Sequence, residues 1–209
     1  MITLIFHGIK KVIIRGVNGS ITVEGWEDEF ITLEYEIHGR ANVEVEENGD
    51  ILIVREEPER SWITGNSRAD IWLSVPRETE VEISSVNGPI KVENCRVESI
   101  KSTNSKITLK NVRIREIRTV NGSITGSIEL AEELSVKTVN GKVELEIQDI
   151  EGDGKISTVN GSIRLLLSEF CDVTITAKTV NGKVEAPSRE GEYELSITTV
   201  NGSVNVEFI

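Results

Sequence analysis

Seven times the chain reads Val-Asn-Gly, then Ser, Lys or Pro, then Ile or Val, with copies starting at Val17, Val86, Val120, Val139, Val159, Val180 and Val200. A degenerate eighth copy, Thr103-Asn104-Ser105-Lys106-Ile107, fills the gap after the second. From Asn87 onward the asparagines recur every 17 to 21 residues. That is too short for a domain and right for one turn of a stacked-coil protein, so the repeat limits the architecture before any other feature does.

Aligned on the Val column, the copies form rows of constant character. Three residues before it stand Ile14, Ile83, Ile100, Ile117, Val136, Ile156, Ala177 and Ile197; four after it stand Ile21, Ile90, Ile107, Ile124, Val143, Ile163, Val184 and Val204. Apolar and polar residues then alternate, the period of a strand with one buried face, and β-branched residues dominate. The expected fold is all-β: a β-solenoid (parallel β-helix) of about eight coils, each of two or three short strands, rising about 4.8 Å per coil. Exterior rows fit stacking in sequence order. Lys106, Lys142 and Lys183 never fall on adjacent coils, and Glu144, Arg164 and Glu185 alternate in sign.

Two readings compete for the asparagines at 18, 87, 104, 121, 140, 160, 181 and 201. Asn18, Asn87, Asn104, Asn121, Asn140, Asn160, Asn181 and Asn201 either form an amide ladder at an inward corner, each bonded to the coils above and below, or take a left-handed turn conformation before Gly. Ser105 in place of Gly means that a positive φ is either not required there or is tolerated at a cost of about 1 kcal/mol. The ladder is the expected reading. Which way the neighbouring Thr row faces stays open.

These repeats, together with Ile71-Trp72-Leu73-Ser74-Val75-Pro76 leading into Val81-Glu82-Ile83-Ser84-Ser85-Val86-Asn87-Gly88, resemble the bacterial and archaeal β-strand-repeat family of unknown function labelled "putative adhesin". The resemblance covers most of the chain. It implies a right-handed solenoid with adhesion or cell-envelope roles.

A single domain spanning 1–209 is expected, with a first coil, hairpin and cap in 1–80 and regular repeats in 81–209. Val43 to Val54 reads as a hairpin around Asn48-Gly49. Six of the nine aromatic residues lie in the first 72 positions, which is consistent with a cap over an open end of the stack. Trp26 and Trp62 could instead offer a glycan-stacking platform. Val204 to Phe208 ends the chain without an evident cap, so homo-oligomer formation through this C-terminal edge is an expected mode of assembly.

The net charge of −12 argues against nucleic acid as a partner. No apolar run is long enough for a membrane span, and the opening segment lacks the features of a secretory signal. A cytoplasmic location is expected, or the cell surface if the native start lies upstream of Met1. One Met, one Gln and two Cys beside abundant Glu, Lys, Arg, Ile and Val give a thermophile-like composition. Cys95 and Cys171 fall on distant coils and are expected as free thiols.

Lys101, Lys106, Lys110, Arg113, Arg115, Arg118 and Lys137 cluster in an otherwise acidic chain. They form either an anion-binding patch or a solvated face balanced by Glu93, Glu98, Glu129, Glu132 and Glu133. Neither His7 nor His38 sits in metal or triad spacing, and no phosphate loop or nucleophile motif occurs. No cofactor, metal or catalytic residue is assigned. The sequence therefore favours a non-enzymatic scaffold or binding protein facing a protein or polysaccharide surface. A self-assembling solenoid and a polysaccharide-acting β-helix enzyme are the rivals.

Overall fold

The computed structural model describes residues 1–58 and 67–209, and these form nineteen strands and no helix. The chain opens with β1 (Ile2–His7), β2 (Lys11–Arg15), β3 (Ile21–Trp26), β4 (Phe30–His38), β5 (Ala41–Asn48), β6 (Ile51–Pro58) and β7 (Arg68–Pro76). The middle holds β8 (Glu80–Ser85), β9 (Ile90–Glu93), β10 (Arg96–Ser102), β11 (Ile107–Arg118), β12 (Ile124–Lys137) and β13 (Val143–Glu151). It finishes with β14 (Gly154–Ser157), β15 (Ile163–Leu167), β16 (Val173–Asn181), β17 (Val184–Glu185), β18 (Tyr193–Asn201) and β19 (Val204–Phe208).

The strands join one mixed sheet rather than a purely parallel one. Pairing is parallel throughout the repeats and antiparallel where β1 meets β4, β4 meets β7 and β5 meets β6. Each repeat contributes one strand before its Asn-Gly corner and one after it. The first row runs β6, β2, β8, β10, the end of β11, the end of β12, β14, β18, β16. The second row runs β7, β3, β9, then the starts of β11, β12 and β13, then β15, β19, β17. The hairpin forms where the alternation places it, with Asn48 opposite Ile51 and Gly49 at φ +64°.

Rung order departs from chain order at both ends. The rung β2–β3 lies between β6–β7 and β8–β9, and the final rung β18–β19 lies between β14–β15 and β16–β17. The expectation that Val204 to Phe208 is an uncovered edge is therefore corrected. Val204 is 1% exposed between β15 and β17, and Val206 is 3% exposed beside Leu165 of β15. Among the described residues, the edge strands at this end of the stack are β16 and β17. The alternation of Glu144, Arg164 and Glu185 is broken for the same reason: Asn205 follows Arg164, whose guanidinium turns to Glu207 at 3.9 Å.

The core is the stack of inward positions from both rows, such as Ile14, Ile83, Ile100, Ile117, Val136, Ile156 and Ile197 facing Ile21, Ile90, Ile107, Ile124, Val143 and Ile163. The threonines before each Val also point inward. Thr138, Thr158, Thr199 and Thr179 donate through Oγ1 to the carbonyls of Gly122, Gly141, Gly161 and Gly202 on the adjacent rung, at 2.8–3.2 Å. These bonds let a polar row lie in an apolar core without leaving hydroxyls unpaired. Thr119, whose neighbouring rung carries Ser105 instead of glycine, and Ser85 are buried hydroxyls without a partner among the described residues.

The repeated glycines answer to crowding, not to a left-handed backbone. None of them has a positive φ. A Cβ built on Gly88, Gly141, Gly161, Gly182 or Gly202 would instead sit 1.7–2.1 Å from a glycine carbonyl oxygen of the next rung. Rungs meet closely at this corner, which glycine allows without displacement; on the one rung with Ser105 instead, the side chain is buried and its Oγ bonds Ser102.

Candidate functional site

The most ordered exterior feature is the corner itself. Along the whole stack each Asn donates through Nδ2 to the Oδ1 of its neighbour, in the spatial order Asn18, Asn87, Asn104, Asn121, Asn140, Asn160, Asn201, Asn181. The seven bonds measure 2.7–2.9 Å. The ladder therefore exists, but all eight side chains are exposed, so it lines the outside of the corner and not the core. Its direction is uniform: every amide donates toward the first rungs, and Asn18 Nδ2 ends the run on the Ser67 carbonyl at 3.1 Å. The other terminus is Asn181 Oδ1, at the open edge. Beside the amides runs a row of exposed valines, Val86, Val120, Val159 and Val200, each about two-fifths exposed, with Val180 at 73% on the last rung.

The closed end of the corner is held by a residue that sequence reasoning missed. Rung β6–β7 has no Asn-Gly, and Glu56 takes its place. Its buried carboxylate accepts from the backbone N–H groups of Val17 (2.6 Å), Asn18 (3.0 Å), Gly19 (3.1 Å) and Ala69 (3.0 Å). Asp70 does similar work one turn on. Its Oδ1 accepts from Ser20 N at 2.8 Å and Ser20 Oγ at 2.7 Å. Burial raises the Asp70 pKa, but the two Ser20 bonds and Arg68 outweigh it and hold the carboxyl below its ordinary value. No spacing in the sequence marks either acid, because each acts once, on a rung that lacks the motif.

A second corner was also overlooked. Asn94, Asn111 and Glu133 adopt positive φ of 50–53°, and Asn111 Nδ2 reaches Asn94 Oδ1 at 3.2 Å. The available signal was the pair Glu93-Asn94 and Lys110-Asn111, one repeat apart.

On the flanks, the basic cluster is interleaved with carboxylates. Lys101 and Arg118 share Glu116 at 3.2 and 2.6 Å, and Arg115 reaches Glu132 and Glu98 at 3.1 and 3.8 Å. Arg113 lies between Glu78 and Glu129 at 3.5 and 3.6 Å, and Lys110 faces Glu93 at 3.8 Å. Lys106 and Lys137 form no ion pair among the described residues. Lys101, Arg118 and Lys137 do occupy one exterior row on consecutive rungs, with Glu116 set between the first two.

An open hollow of about 610 Å³ lies on the outer face of the second row, lined by Glu93, Lys110, Ser127, Glu144, Glu146 and Arg164. At its floor Gly126 sits at φ +131°, where the pairing of β11 with β12 slips. Glu93 is kept ionised, its pKa lowered by the hydrogen bond from Lys91 against a smaller opposing effect of burial. Trp26 is half-buried, edge-on to Phe30 at 4.8 Å, with Nε1 donating to the Phe30 carbonyl at 2.9 Å. Trp62, its partner in the proposed glycan platform, lies outside the described residues. Both Cys95 and Cys171 are free and buried, and burial is the main cause pushing their thiol pKa values up, to about 12 and about 11.

Among solved structures, the chain is similar to a putative cell adhesion protein from Clostridium sporogenes, at 14% identity over 99% of both chains, with TM-score 0.42. It is also similar to a putative adhesin from Bacteroides fragilis, at 12% identity over 99% of this chain and 96% of that one, with TM-score 0.49. A third, a putative lipid binding protein from Parabacteroides distasonis, shows 13% identity over 98% and 96%, with TM-score 0.46. No curated protein matches. The family model for Toastrack DUF4097 matches residues 9–209. With all but the first eight residues inside that match, this chain belongs to the Toastrack DUF4097 family.

Proposed function

We propose that the chain is a non-catalytic scaffold of the adhesin type, in which a parallel β-solenoid displays long, regular faces to an extended partner such as a polysaccharide or protein surface. One observation carries this reading: the polar residues of the repeat are used to join rungs. Each Asn bonds the next Asn, and Thr bonds a glycine carbonyl at four junctions. Groups held in this way give a stiff support rather than a reacting centre. In the hollow beside Gly126, Glu93 is held ionised by Lys91, so it does not fit the role of the protonated acid that glycoside hydrolysis needs.

The test is to incubate the protein with immobilised neutral and acidic polysaccharides, measuring saturable retention and the release of reducing or unsaturated ends. Retention without product is the expected result. Turnover of any of these polymers would overturn the scaffold reading, and lack of retention on every one would remove polysaccharide as the partner class.

A further inference from the structure

The two ends of the stack are finished differently. At one end antiparallel strands β5, β4 and β1 cover the first rungs, and Glu56 takes up the loose backbone donors. At the other, the last rung is left bare. Val184 is 42% exposed where its equivalents Val204, Ile163 and Val143 are at most 1%, and Ile175 and Ala177 are only partly buried where Leu195 and Ile197 are fully so. Within this bare end the two rows differ again. The second row is blunted: β17 has two residues, Pro187 comes soon after, and Arg189 lies 4.4 Å over the Phe208 ring while pairing with Glu169 at 3.2 Å. Short strands, proline and charge are the usual means of stopping edge-to-edge pairing.

The first row has none of these devices. β16 runs nine residues, Val-Thr-Ile-Thr-Ala-Lys-Thr-Val-Asn, six of them β-branched, with one charge and no proline or glycine. Among the described residues it pairs with β18 alone.

We propose that β16 is the contact strand of a two-fold dimer, pairing antiparallel with β16 of a second copy. Pairing centred on Ala177 sets Val173 opposite Asn181, Ile175 opposite Thr179 and Thr176 opposite Lys178. Inward-facing Val173, Ile175 and Ala177 then continue the apolar core across the axis, while Lys178 meets a threonine and no like charges face each other. At the capped end two strands have a single partner among the described residues: β5, which carries Glu44, Glu46 and Glu47, and β1, which is uncharged apart from His7. A head-to-tail contact of β16 with either would build a filament instead of a closed pair, and a dimer through β1 would be indifferent to changes in β16. This inference stands apart from the scaffold reading, since either can fail alone.

The experiment is sedimentation equilibrium of the full chain, 23.1 kDa as a monomer, over a wide concentration range. Wild type is expected to fit a monomer–dimer equilibrium that saturates at twice that mass. Thr176→Lys places two lysines opposite each other twice per dimer and should weaken association about ten-fold, with unchanged circular dichroism. Adding Lys178→Glu to that variant turns both repulsions into opposite-charge pairs and should restore the dimer. A monomer at all concentrations, growth beyond a dimer, indifference to Thr176→Lys, or failure of the second change to rescue would each overturn the proposal.

Discussion

Replacing Glu56 with Ala tests how the closed end of the stack is held. The carboxylate is 4% exposed and accepts from four backbone N–H groups, on Val17, Asn18, Gly19 and Ala69. Truncation leaves all four without their acceptor. An orphaned buried donor costs about 1–3 kcal/mol. Asn18 is exposed and Val17 half-buried, so water can enter beside them and the lower figure applies, giving about 4 kcal/mol for the four together. For a chain of this size each kcal/mol moves Tm by about 2–4 °C, so a fall of roughly 8–16 °C is expected in thermal unfolding followed by circular dichroism. Glu56→Gln keeps one acceptor oxygen but turns an amide donor toward backbone donors, and should fall between Ala and wild type. Exposed Glu57, on the same strand, is the control: its change to Ala should stay within about 0.5 kcal/mol. A loss below about 2 °C for Glu56→Ala would show that the N–H groups find other partners and that Glu56 is no cap.

Gly141→Ala should cost about 3 kcal/mol, because its Cβ would lie 2.0 Å from the Gly122 oxygen, whereas Gly49→Ala, strained at φ +64° but facing open space, should cost about 1 kcal/mol. Urea midpoints in the reverse order would restore the left-handed explanation of the repeat glycines. Asn140→Leu should cost only about 1 kcal/mol, since water can reach the amides of Asn121 and Asn160 on the exposed ladder; a loss above about 3 kcal/mol would mean that the ladder is shielded. Neither thiol should react with iodoacetamide at pH 8 in the folded protein, given pKa values near 12 and 11, while both should react in urea; mass spectrometry reads the difference. Asp70 is held below its ordinary pKa when folded, so its contribution is present above the unfolded value, near 3.9, and is lost as pH falls through the lower folded value. Asp70→Asn should accordingly lose less stability than wild type between pH 5 and pH 2, and equal losses would refute that assignment.

The rows were legible because register binds equivalent positions together. A strand shifted by one residue would turn Ile14 or Ile156 to solvent, so the apolar columns had to coincide. The amide ladder came from the same logic, but its exposure did not: identical side chains stack equally well on either side of a corner. Glu56 and Asp70 were invisible for a different reason. A cap acts once, at an end, and periodicity cannot single out a residue that does not recur.

Rung order shows where a repeat pattern stops being informative. Columns are unchanged when rungs are permuted, so Asn160 beside Asn201 aligns as well as Asn160 beside Asn181. Connections do not enforce chain order either. Passing from β7 to β8 skips one rung, about 9.6 Å, and residues 77–79 can span roughly that distance when extended. What can decide the order is the cost of leaving a rung at the end. The inward positions of the β16–β17 rung hold Ile175, Ala177, Val184 and, just past β17, Ala186, against Leu195, Ile197, Val204 and Val206 in β18–β19. Two alanines replace larger aliphatic groups, so exposing the earlier rung leaves less apolar surface in water, at about 25 cal/mol per Å². Placing the richer rung inside is the favourable choice, and Ala177 and Ala186 are the residues that record it. Exchanging the two alanines for valine should therefore increase exposed apolar area at the bare end, and with it the concentration dependence of the assembled mass.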